Sequence, residues 1–597
     1  MRILGVNAYA HDAGLALLED GRPALVLEEE RFNRVKKTTA FPSAGIAFLR
    51  QHLNLRLRDC DAVAFPWRGG RFLATVGRHL VATLPYSLNL LRERASPNMS
   101  VPAAFRFFRV GTELARSFEE VTRPKVRYVG HHEAHACNAF FLSPFDRAAV
   151  LVMDAYGDEC STSFYRAAGT KIRTVGKNRF FDSLGIVFSM VTKYLGFRTI
   201  HDEGTVMALA SHGTDALYPE FRKLITLLPE GCYTVDSRFF EYHRYGELRP
   251  VSRRFLARFG PSRRAGEPIS QRHMDIAYAL QRTVEEAILH VTQHLRTVLG
   301  EENLCFGGGL ALNCLSNTRV LREAGFERVF VPPNPNDAGA ALGAAFAVHY
   351  LEGAGRKPSW AMPRVPVVVE PYLGREFSES QVVAALRAAG VRHERREDAA
   401  WLVARELAQG KLVGWFQGRA EMGPRALGNR SILADPRDPF VPNALNERVK
   451  RRAWFRPYAP AVLAEHSGEF FEHRVPSPFM SFAIRVKSER RSQVPAVVAR
   501  DGSARLQTVN ETDNPRFHAL IEAFRCLTGV PMVLNTSFNL QDPIVDTPAD
   551  AVRAFLNSGL DTLVIQSHIA RKPDDVRTSR PAAAAAVPVA RFSASSR

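Results

Sequence analysis

Short apolar runs separated by polar turns open the chain. The run "ILGVN" is followed by "GLALL", by the turn "EDG" and by "PALVLEEE". Runs of this length that are bounded by Asp and Gly predict three successive strands, with a hairpin between the last two. The polar residues "AYAHD" come directly after the first strand. We therefore expect them at one edge of the sheet, where ligands commonly bind.

The same plan recurs at residues 149–175. There "AVLVMDAYGDE" precedes "CSTSFYR", the turn "AAGT" and the run "KIRTVG". The first strand of each unit also ends in similar letters, "NAYAHD" and "DAYGDE". A duplicated unit of strand, polar turn and hairpin predicts two related α/β lobes that face a shared cleft.

Changes in the pattern divide the chain into domains. Residues 68–125 interrupt the first unit with a helix-rich, basic and aromatic insertion, which serves either to shape a substrate pocket or as a packing subdomain. The Pro- and Gly-rich residues 356–372 predict a linker. An N-terminal domain is then expected at 1–355, a second domain of α/β or α+β type at 373–570, and a disordered, low-complexity tail at 571–597.

Composition adds limits to this picture. The 597 residues carry a formal net charge of +18, which favours anionic partners such as phosphates, nucleotides or nucleic acid. Arginine spread evenly over the surface would give the same excess. The seven cysteines contain no CxxC pair, which argues against a disulfide framework and predicts a cytoplasmic protein. The opening residues lack a signal-peptide pattern, and no apolar run predicts a membrane span.

The segment "VGHHEAHAC" at 129–137 holds three histidines and a glutamate. It is not the HExxH motif of zinc proteases, because Ala136 stands where the second histidine would be. His131 and His135 have the i, i+4 spacing that places both imidazoles on one helical face. The sequence therefore predicts that these two histidines can reach one metal ion.

Two carboxylates are candidates to complete that site. Asp154 ends the first strand of the second lobe, and Asp337 lies in the loop "PPNPNDAGAALGAA". Two neutral histidines with two carboxylates suit a first-row divalent ion. Turn formation or helix N-capping would equally explain both aspartates.

Glycines and cations mark two further candidate sites. Gly307, Gly308 and Gly309 follow the apolar "NLCF", so their backbone N–H groups could approach a phosphate, with Asn313 nearby. In the second domain, "GRAEMGPRALGNRSILADPR" and "RVKRRAWFRPYAP" concentrate arginines around a Gly-rich loop, which suits phosphate or carbamoyl oxygens. Stacking of nucleic-acid bases on the aromatic residues of the second stretch is the alternative.

The motifs of the N-terminal domain occur in a recognisable order. They are "AYAHDAGLAL", "EEERFNRVKK", "HHEAHA", "DAYGDE", "EGTVMALA", "MDIAYALQ", "GGGLALNC" and "PNDAGAALGAA". Together they resemble the O-carbamoyltransferase family of the NodU/CmcH type. The resemblance implies an α/β N-terminal domain with the duplicated fold of actin, sugar kinases and Hsp70, similar to tRNA threonylcarbamoyl transferases. It also implies a YrdC-like α+β C-terminal domain.

The resemblance implies a role for individual residues of this chain. The metal ligands would be His131, His135, Asp154 and Asp337; the nucleotide-binding residues Gly307, Gly308, Gly309, Asn313 and Asp275; the carbamoyl phosphate-binding residues Arg425, Lys450, Arg456, Arg505 and Ser537; and the catalytic residues His11, Lys36 and Arg505. The metal is expected to be iron(II), although zinc or manganese would satisfy the same ligands. Thr205 departs from the family, which commonly has lysine there, and so removes one expected phosphate contact.

The implied activity has two steps. Carbamoyl phosphate and ATP, with Mg²⁺, would give carbamoyl adenylate, and the carbamoyl group would then pass to a hydroxyl of a small-molecule, sugar or natural-product acceptor. A threonylcarbamoyl transferase acting on tRNA and a nucleotide-binding scaffold without turnover are the alternatives. Neither nucleic acid nor membrane is expected as a partner. The sequence identifies neither the acceptor nor the oligomeric state, a homodimer being compatible.

Overall fold

The computed structural model describes residues 1–91, 104–352, 364 and 370–572. Most of the linker predicted at 356–372 and most of the tail predicted at 571–597 lie outside the described residues. No helix in the described part of the chain has both the length and the hydropathy of a membrane-spanning segment.

The first sheet has five strands in the order β3-β2-β1-β4-β5. Asp20 and Gly21 join β2 to β3 with φ of 48° and 80°, the left-handed backbone that a tight hairpin requires. This is the turn predicted from "EDG". Its strands are β1 Arg2–Asn7, β2 Gly14–Glu19, β3 Arg22–Glu28, β4 Ala62–Phe65 and β5 Val126–Tyr128.

The second sheet repeats this order as β8-β7-β6-β11-β12. In both sheets the first three strands form an antiparallel meander and the last two join parallel to it. The predicted duplicated α/β fold is therefore confirmed. The strands are β6 Arg147–Met153, β7 Cys160–Ala168, β8 Lys171–Arg179, the separate ribbon β9 Ile225–Leu227 and β10 Tyr233–Val235, then β11 Asn303–Gly307 and β12 Arg328–Phe330.

Helices fill the space between and around these sheets. Ala340–Phe346 packs on His131–Phe141 so closely that a Cβ at Gly343 would collide with the carbonyl of Ala134. The remaining α-helices of this part are Glu29–Asn33, Ser43–Leu53, Gly69–Ala82, Val110–Phe118, Leu184–Tyr194, Glu203–Ala210, Tyr218–Phe221, Tyr242–Tyr245, Arg253–Phe259, Gln271–Leu299 and Cys314–Glu323. Two of them, Gly69–Ala82 and Val110–Phe118, belong to the predicted insertion, whose residues 92–103 lie outside the described part.

The C-terminal part is built on one mixed sheet of nine strands, in the order β13-β21-β20-β14-β15-β19-β16-β18-β17. The strands are β13 Glu394–Arg395, β14 Val413–Phe416, β15 Arg430–Ala434, β16 Ala459–Leu463, β17 Phe482–Arg485, β18 Ser503–Val509, β19 Met532–Ser537, β20 Thr562–Ile565 and β21 His568–Arg571. The α-helices are Glu379–Ala388, Ala399–Ala408, Val441–Leu445, Ser467–Phe470, Pro515–Thr528 and Pro548–Leu556.

Hydrogen bonds join the two parts of the chain. Asn317 Nδ2 donates to the carbonyl of Ser481 at 3.0 Å, and Thr318 Oγ1 accepts from Ala483 N at 2.8 Å. On the other side of the contact, Arg34 Nη1 donates to the carbonyl of Ile544 at 2.8 Å. The Arg34 contact holds the segment around Lys36 against the C-terminal part of the chain.

Candidate active site

The two predicted histidines and two predicted carboxylates converge on one buried point. Nε2 of His135 lies 3.1 Å from Oδ2 of Asp154 and 3.4 Å from Oδ1 of Asp337. Nε2 of His131 lies 3.4 Å from each of the same oxygens. One ligand atom from each residue falls within 4.8 Å of the others, which is the spacing a single metal ion needs.

The start of the helix at His131 orients this cluster. The backbone N–H of His131 donates to Oδ2 of Asp158 at 2.8 Å, which satisfies the first turn. Nδ1 of His131 lies 3.1 Å from the carbonyl of Pro66. A proton on Nδ1 therefore leaves the Nε2 lone pair facing the cluster, the usual arrangement of a metal-binding histidine. Trp67 stacks on the ring at a centroid distance of 3.7 Å and fixes its plane.

The charge of the cluster also fits a divalent cation. Burial alone would lower the pKa of His131, but Asp337 and Asp154 outweigh it and raise that pKa to about 10. Two protonated imidazoles would set N–H groups against each other, because Nε2 of His131 lies 3.2 Å from Nε2 of His135. Oδ1 of Asp337 is buried and has no hydrogen-bond partner among the described residues. A cation would satisfy all four groups at once.

Two other members of the "HHEAH" segment lie outside the cluster. Nδ1 of His132 lies 2.7 Å from Oγ of Ser163. Glu133 accepts from Nη2 of Arg68 at 2.8 Å. Neither side chain supplies a ligand atom to the group of four.

The glycine loop adjoins this cluster directly. Gly308 has φ of 87°, and a Cβ there would collide with the carbonyl of Met153. The backbone N–H of Gly309 donates to Oδ1 of Asp154 at 3.3 Å. The predicted nucleotide loop and the predicted metal ligands therefore form one continuous surface, with Gly307 at the end of β11.

The two side chains predicted to contact the nucleotide have protein partners. Asn313 caps the helix Cys314–Glu323 by accepting from Ser316 N at 3.1 Å, and its amide pairs with Gln281. Asp275 accepts from the backbone N–H and hydroxyl of Thr214 at 2.8 and 2.9 Å. In this structure both residues shape the loops around the cleft.

A cavity of about 280 Å³ lies between the two parts of the chain and gathers cationic side chains. Lys36, Arg425, Arg456, Arg505 and Ser537 line it, as the sequence predicts for one site. Burial and the adjacent Arg505 lower the pKa of Arg425 to about 9, and burial and Arg452 lower that of Arg456 to about 10. Cations that lower one another's pKa values repel each other, and an anion that binds between them relieves this repulsion.

Lys450 lies behind this cavity rather than on its wall. Its Nζ donates to Oδ1 of Asn539 at 2.8 Å, to the carbonyl of Asn539 at 3.0 Å and to Ser537. Burial and the cations Arg452 and Lys36 hold the pKa of Lys450 well below its usual range. The ammonium thus fixes the loop after β19. Ser537, the last residue of β19, lines the cavity.

Sequence reasoning missed some residues of the cavity wall. Arg452 lies two positions after Lys450 in the same basic run, but its position alone did not distinguish it from a solvated arginine. Cys314 and Lys37 come from the N-terminal part, at the ends of the motifs "GGGLALNC" and "EEERFNRVKK", but no role at this cavity was assigned to either position. Thr205 is buried in the helix Glu203–Ala210, whose Gly204 and Ala208 also line the cavity.

A second, smaller cavity of about 120 Å³ reaches the cluster of two histidines and two aspartates. His11, His131, Asp154 and Asp337 line it together with aromatic side chains. Nδ1 of His11 lies 3.0 Å from Oδ2 of Asp12, and Asp12 lines the first cavity. Asp337 is likewise flanked by residues that line the first cavity. Two short loops therefore form the wall between the cavities.

Comparison with known proteins identifies related chains. Residues 2–346 match the family model "Carbamoyltransferase N-terminus" and residues 404–572 match "Carbamoyltransferase C-terminus". An uncharacterized protein of Synechocystis is 36% identical over 96% of this chain and 96% of its own. The nodulation protein NolNO of Sinorhizobium fredii is 36% identical over 96% of this chain and 80% of its own.

A solved structure, the activator of 2-hydroxyisocaproyl-CoA dehydratase from Clostridium difficile with bound ADPNP, is 11% identical over 60% of this chain and 96% of that chain, at a TM-score of 0.31. That likeness is too low to carry an argument. The two family models together cover both parts of the chain, and the relatives match it nearly from end to end. The chain belongs to the carbamoyltransferase family.

Proposed function

We propose that this carbamoyltransferase forms carbamoyl adenylate from carbamoyl phosphate and ATP in the first cavity and passes the carbamoyl group to an acceptor hydroxyl at the second. The observation that carries the proposal is the cationic cavity, where Lys36, Arg425, Arg456 and Arg505 surround a space of about 280 Å³. Phosphate and carbamate oxygens are the ligands that such a set of fixed donors favours.

The cations account for the chemistry of the first step. Water hydrolyses carbamoyl phosphate to carbamate and inorganic phosphate, which leaves, and a carbamate oxygen then attacks the α-phosphorus of ATP, with pyrophosphate leaving. Negative charge accumulates on the phosphoryl oxygens in that transition state. Arg505 and Arg456 are partly buried in the wall of the cavity, so their guanidinium groups can donate to these oxygens and stabilise the accumulating charge.

The second step is proposed at the wall shared by the two cavities. The acceptor oxygen attacks the carbamoyl carbon, the bond from that carbon to the phosphate oxygen breaks, and AMP leaves. Asp337 and Asp12 raise the pKa of His11 to about 9 against the effect of burial. His11 can therefore take the hydroxyl proton at neutral pH only when the charge of Asp337 is balanced by a bound ligand.

Four residues would hold a divalent ion, for which we propose iron(II): His131, His135, Asp154 and Asp337. Such an ion supplies Lewis acidity toward a phosphate oxygen. The residues around it provide the rest of the site. The N–H of Gly309 fixes Asp154, and the carbonyl of Pro66 fixes the tautomer of His131.

The proposal is tested by measuring pyrophosphate release from ATP in the presence and absence of carbamoyl phosphate. We expect release that depends on carbamoyl phosphate and falls by about 10²–10³-fold in Arg505→Ala, since one such donor is removed. Arg485→Ala is the matched control, because Arg485 is exposed on β17 beside the strand that carries Arg505. Release that is independent of carbamoyl phosphate, or equal loss in both variants, would refute the first step.

A further inference from the structure

The second cavity has a wall of aromatic rings centred on Phe180. Phe180 stacks on Tyr156 with a centroid distance of 4.6 Å and an interplanar angle of 13°, and meets Phe181 edge-on at 4.9 Å. Phe72 approaches it at 6.1 Å. Trp67 connects this wall to the metal cluster by its stack on His131. The apolar surface therefore extends to within contact of the predicted reaction centre.

The predicted insertion contributes to this wall. Phe72 and Val76 come from the helix Gly69–Ala82, and Leu90 from the turn that follows it. Phe72 and Val76 are 3% and 7% exposed, so their side chains are buried in the interior of the protein. The insertion thus shapes the part of the second cavity that lies farthest from the nucleotide loop.

Charge distinguishes this cavity sharply from the first. Among the described residues, no lysine or arginine lines it. Glu247 lies on its edge, but its carboxylate pairs with Nζ of Lys193 at 3.3 Å and accepts from the hydroxyl of Thr199 at 3.0 Å. Ser189 donates to Glu203. Among the described residues, the wall opposite the reaction centre therefore offers few uncommitted polar groups beside the hydroxyl of Tyr156, either to an anion or to a molecule with many hydroxyls.

The enclosed part of the second cavity has a volume of about 120 Å³, and the cavity is open to solvent on one side. A closed cavity of ~150 Å³ in another protein accommodates benzene. The enclosed part therefore has room for a single six-membered ring, and stacked and edge-on aromatic neighbours favour a flat ring. A polyhydroxylated ring would lose its hydration there without replacement hydrogen bonds, which disfavours it.

From these observations we infer that the acceptor presents its hydroxyl on a neutral, apolar ring that binds between Phe72, Phe180 and Tyr156, with the hydroxyl directed at His11. The inference rests on the proposed function, because it assigns the acceptor of that same reaction. The ring would be selected by burial of apolar surface and ring–ring contact. A phosphorylated or polyhydroxylated acceptor would be selected against.

The test measures transfer of labelled carbamoyl group from carbamoyl phosphate and ATP to three probes at equal concentration: benzyl alcohol, myo-inositol and glucose 6-phosphate. We expect benzyl alcohol to be carbamoylated at least tenfold faster than either of the others. Pyrophosphate release is measured in parallel. If that release does not depend on carbamoyl phosphate, the proposed function fails; if it does and myo-inositol or glucose 6-phosphate is the better acceptor, this inference is overturned.

Substitutions that fill the second cavity provide a further test. Val76→Phe fills the cavity and should lower transfer to benzyl alcohol at least tenfold, whereas Val81→Phe, on the same helix but 73% exposed, should leave it unchanged. Leu90→Trp fills the cavity from another element and guards against a folding defect at position 76. Pyrophosphate release near the wild-type rate shows that each variant is folded. Unchanged transfer in both cavity-filling variants would refute the assignment.

Discussion

His11 and Asp12 are adjacent in sequence, yet they line different cavities, with Nδ1 of His11 3.0 Å from Oδ2 of Asp12. The same carboxylate oxygen lies 2.9 Å from Nζ of Lys37 and accepts from Nδ2 of Asn336 at 2.8 Å. Asp12 is therefore the link between the cationic cavity and the imidazole of the second one. This arrangement places the proposed proton acceptor one side chain away from the proposed site of adenylate formation.

A substitution at His11 should separate the two steps. In His11→Asn we expect carbamoyl transfer to fall by about 10²-fold or more, because a positioned acid or base typically contributes that much. Pyrophosphate release should stay within about twofold of wild type, since His11 does not line the first cavity. Parallel assays of pyrophosphate and of carbamoylated product check this. Equal loss of both activities would contradict the separation of the cavities.

Loss of two of the proposed metal ligands should remove the proposed ion. Each of His131→Ala and Asp337→Ala deletes one of four buried ligand groups, and we expect the double variant to retain less than about a tenth of the wild-type metal content. His132→Asn is the control, because His132 is buried next to the site but bonds to Ser163. Elemental analysis of the purified proteins measures the content and identifies the metal. Unchanged content in the double variant would reject the site.

The sequence was most informative where a motif and a repeated strand pattern coincide. The i, i+4 spacing of His131 and His135 and the strand-end position of Asp154 made these residues candidates for one cluster with Asp337, and the family resemblance implied all four as its ligands. The protein contacts of Asn313 and Lys450 could not be predicted from motifs or strand patterns. Whether an amide or an ammonium faces a ligand or a neighbouring loop depends on contacts such as Gln281 and Asn539, which are distant in sequence.

The aromatic wall of the second cavity could not be predicted from the sequence, for the same physical reason. Phe72, Tyr156 and Phe180 come from three separate elements, and each alone looks like an ordinary core residue. Only the packing of the helix Gly69–Ala82 against the second lobe brings the rings together. Helical spacing within 68–125 predicts which residues are buried, but it carries no information about the space they enclose.

Lys450 should behave as a residue that stabilises the fold. Lys450→Met removes one donor from the carbonyl of Ser537, which keeps the N–H of Asn539, and leaves the carbonyl of Asn539 without its donor, so we expect a loss of about 2–3 kcal/mol in the free energy of unfolding. Lys171→Met, at an exposed position on β8, should change it by less than about 0.5 kcal/mol. Denaturant unfolding measures both. An unchanged unfolding midpoint with a raised KM for carbamoyl phosphate would instead show that Lys450 binds substrate directly.

Acid should destabilise the protein in part through His349. Burial and the N-terminal ammonium lower the pKa of His349 to about 4, so the folded state favours the neutral ring. This pKa lies below the ordinary value of about 6.5, so the unfolded chain takes up a proton first as the pH falls. His349 therefore does not lower the free energy of unfolding above pH 6.5, and it lowers that free energy progressively as the pH falls from 6.5 to about 4. The part lost is on the order of 2 kcal/mol. Above pH 7 this histidine contributes no pH dependence.

His349→Gln removes that titration and should flatten the decline of Tm between pH 6.5 and 4, whatever its effect at pH 7. His52→Gln, at an exposed position on the helix Ser43–Leu53, should leave the slope of the decline as in wild type. Thermal unfolding followed by circular dichroism at half-unit pH intervals compares the three proteins. A wild-type slope in His349→Gln would mean that the ring becomes protonated in the folded state without cost, which its 2% exposure makes physically unfavourable.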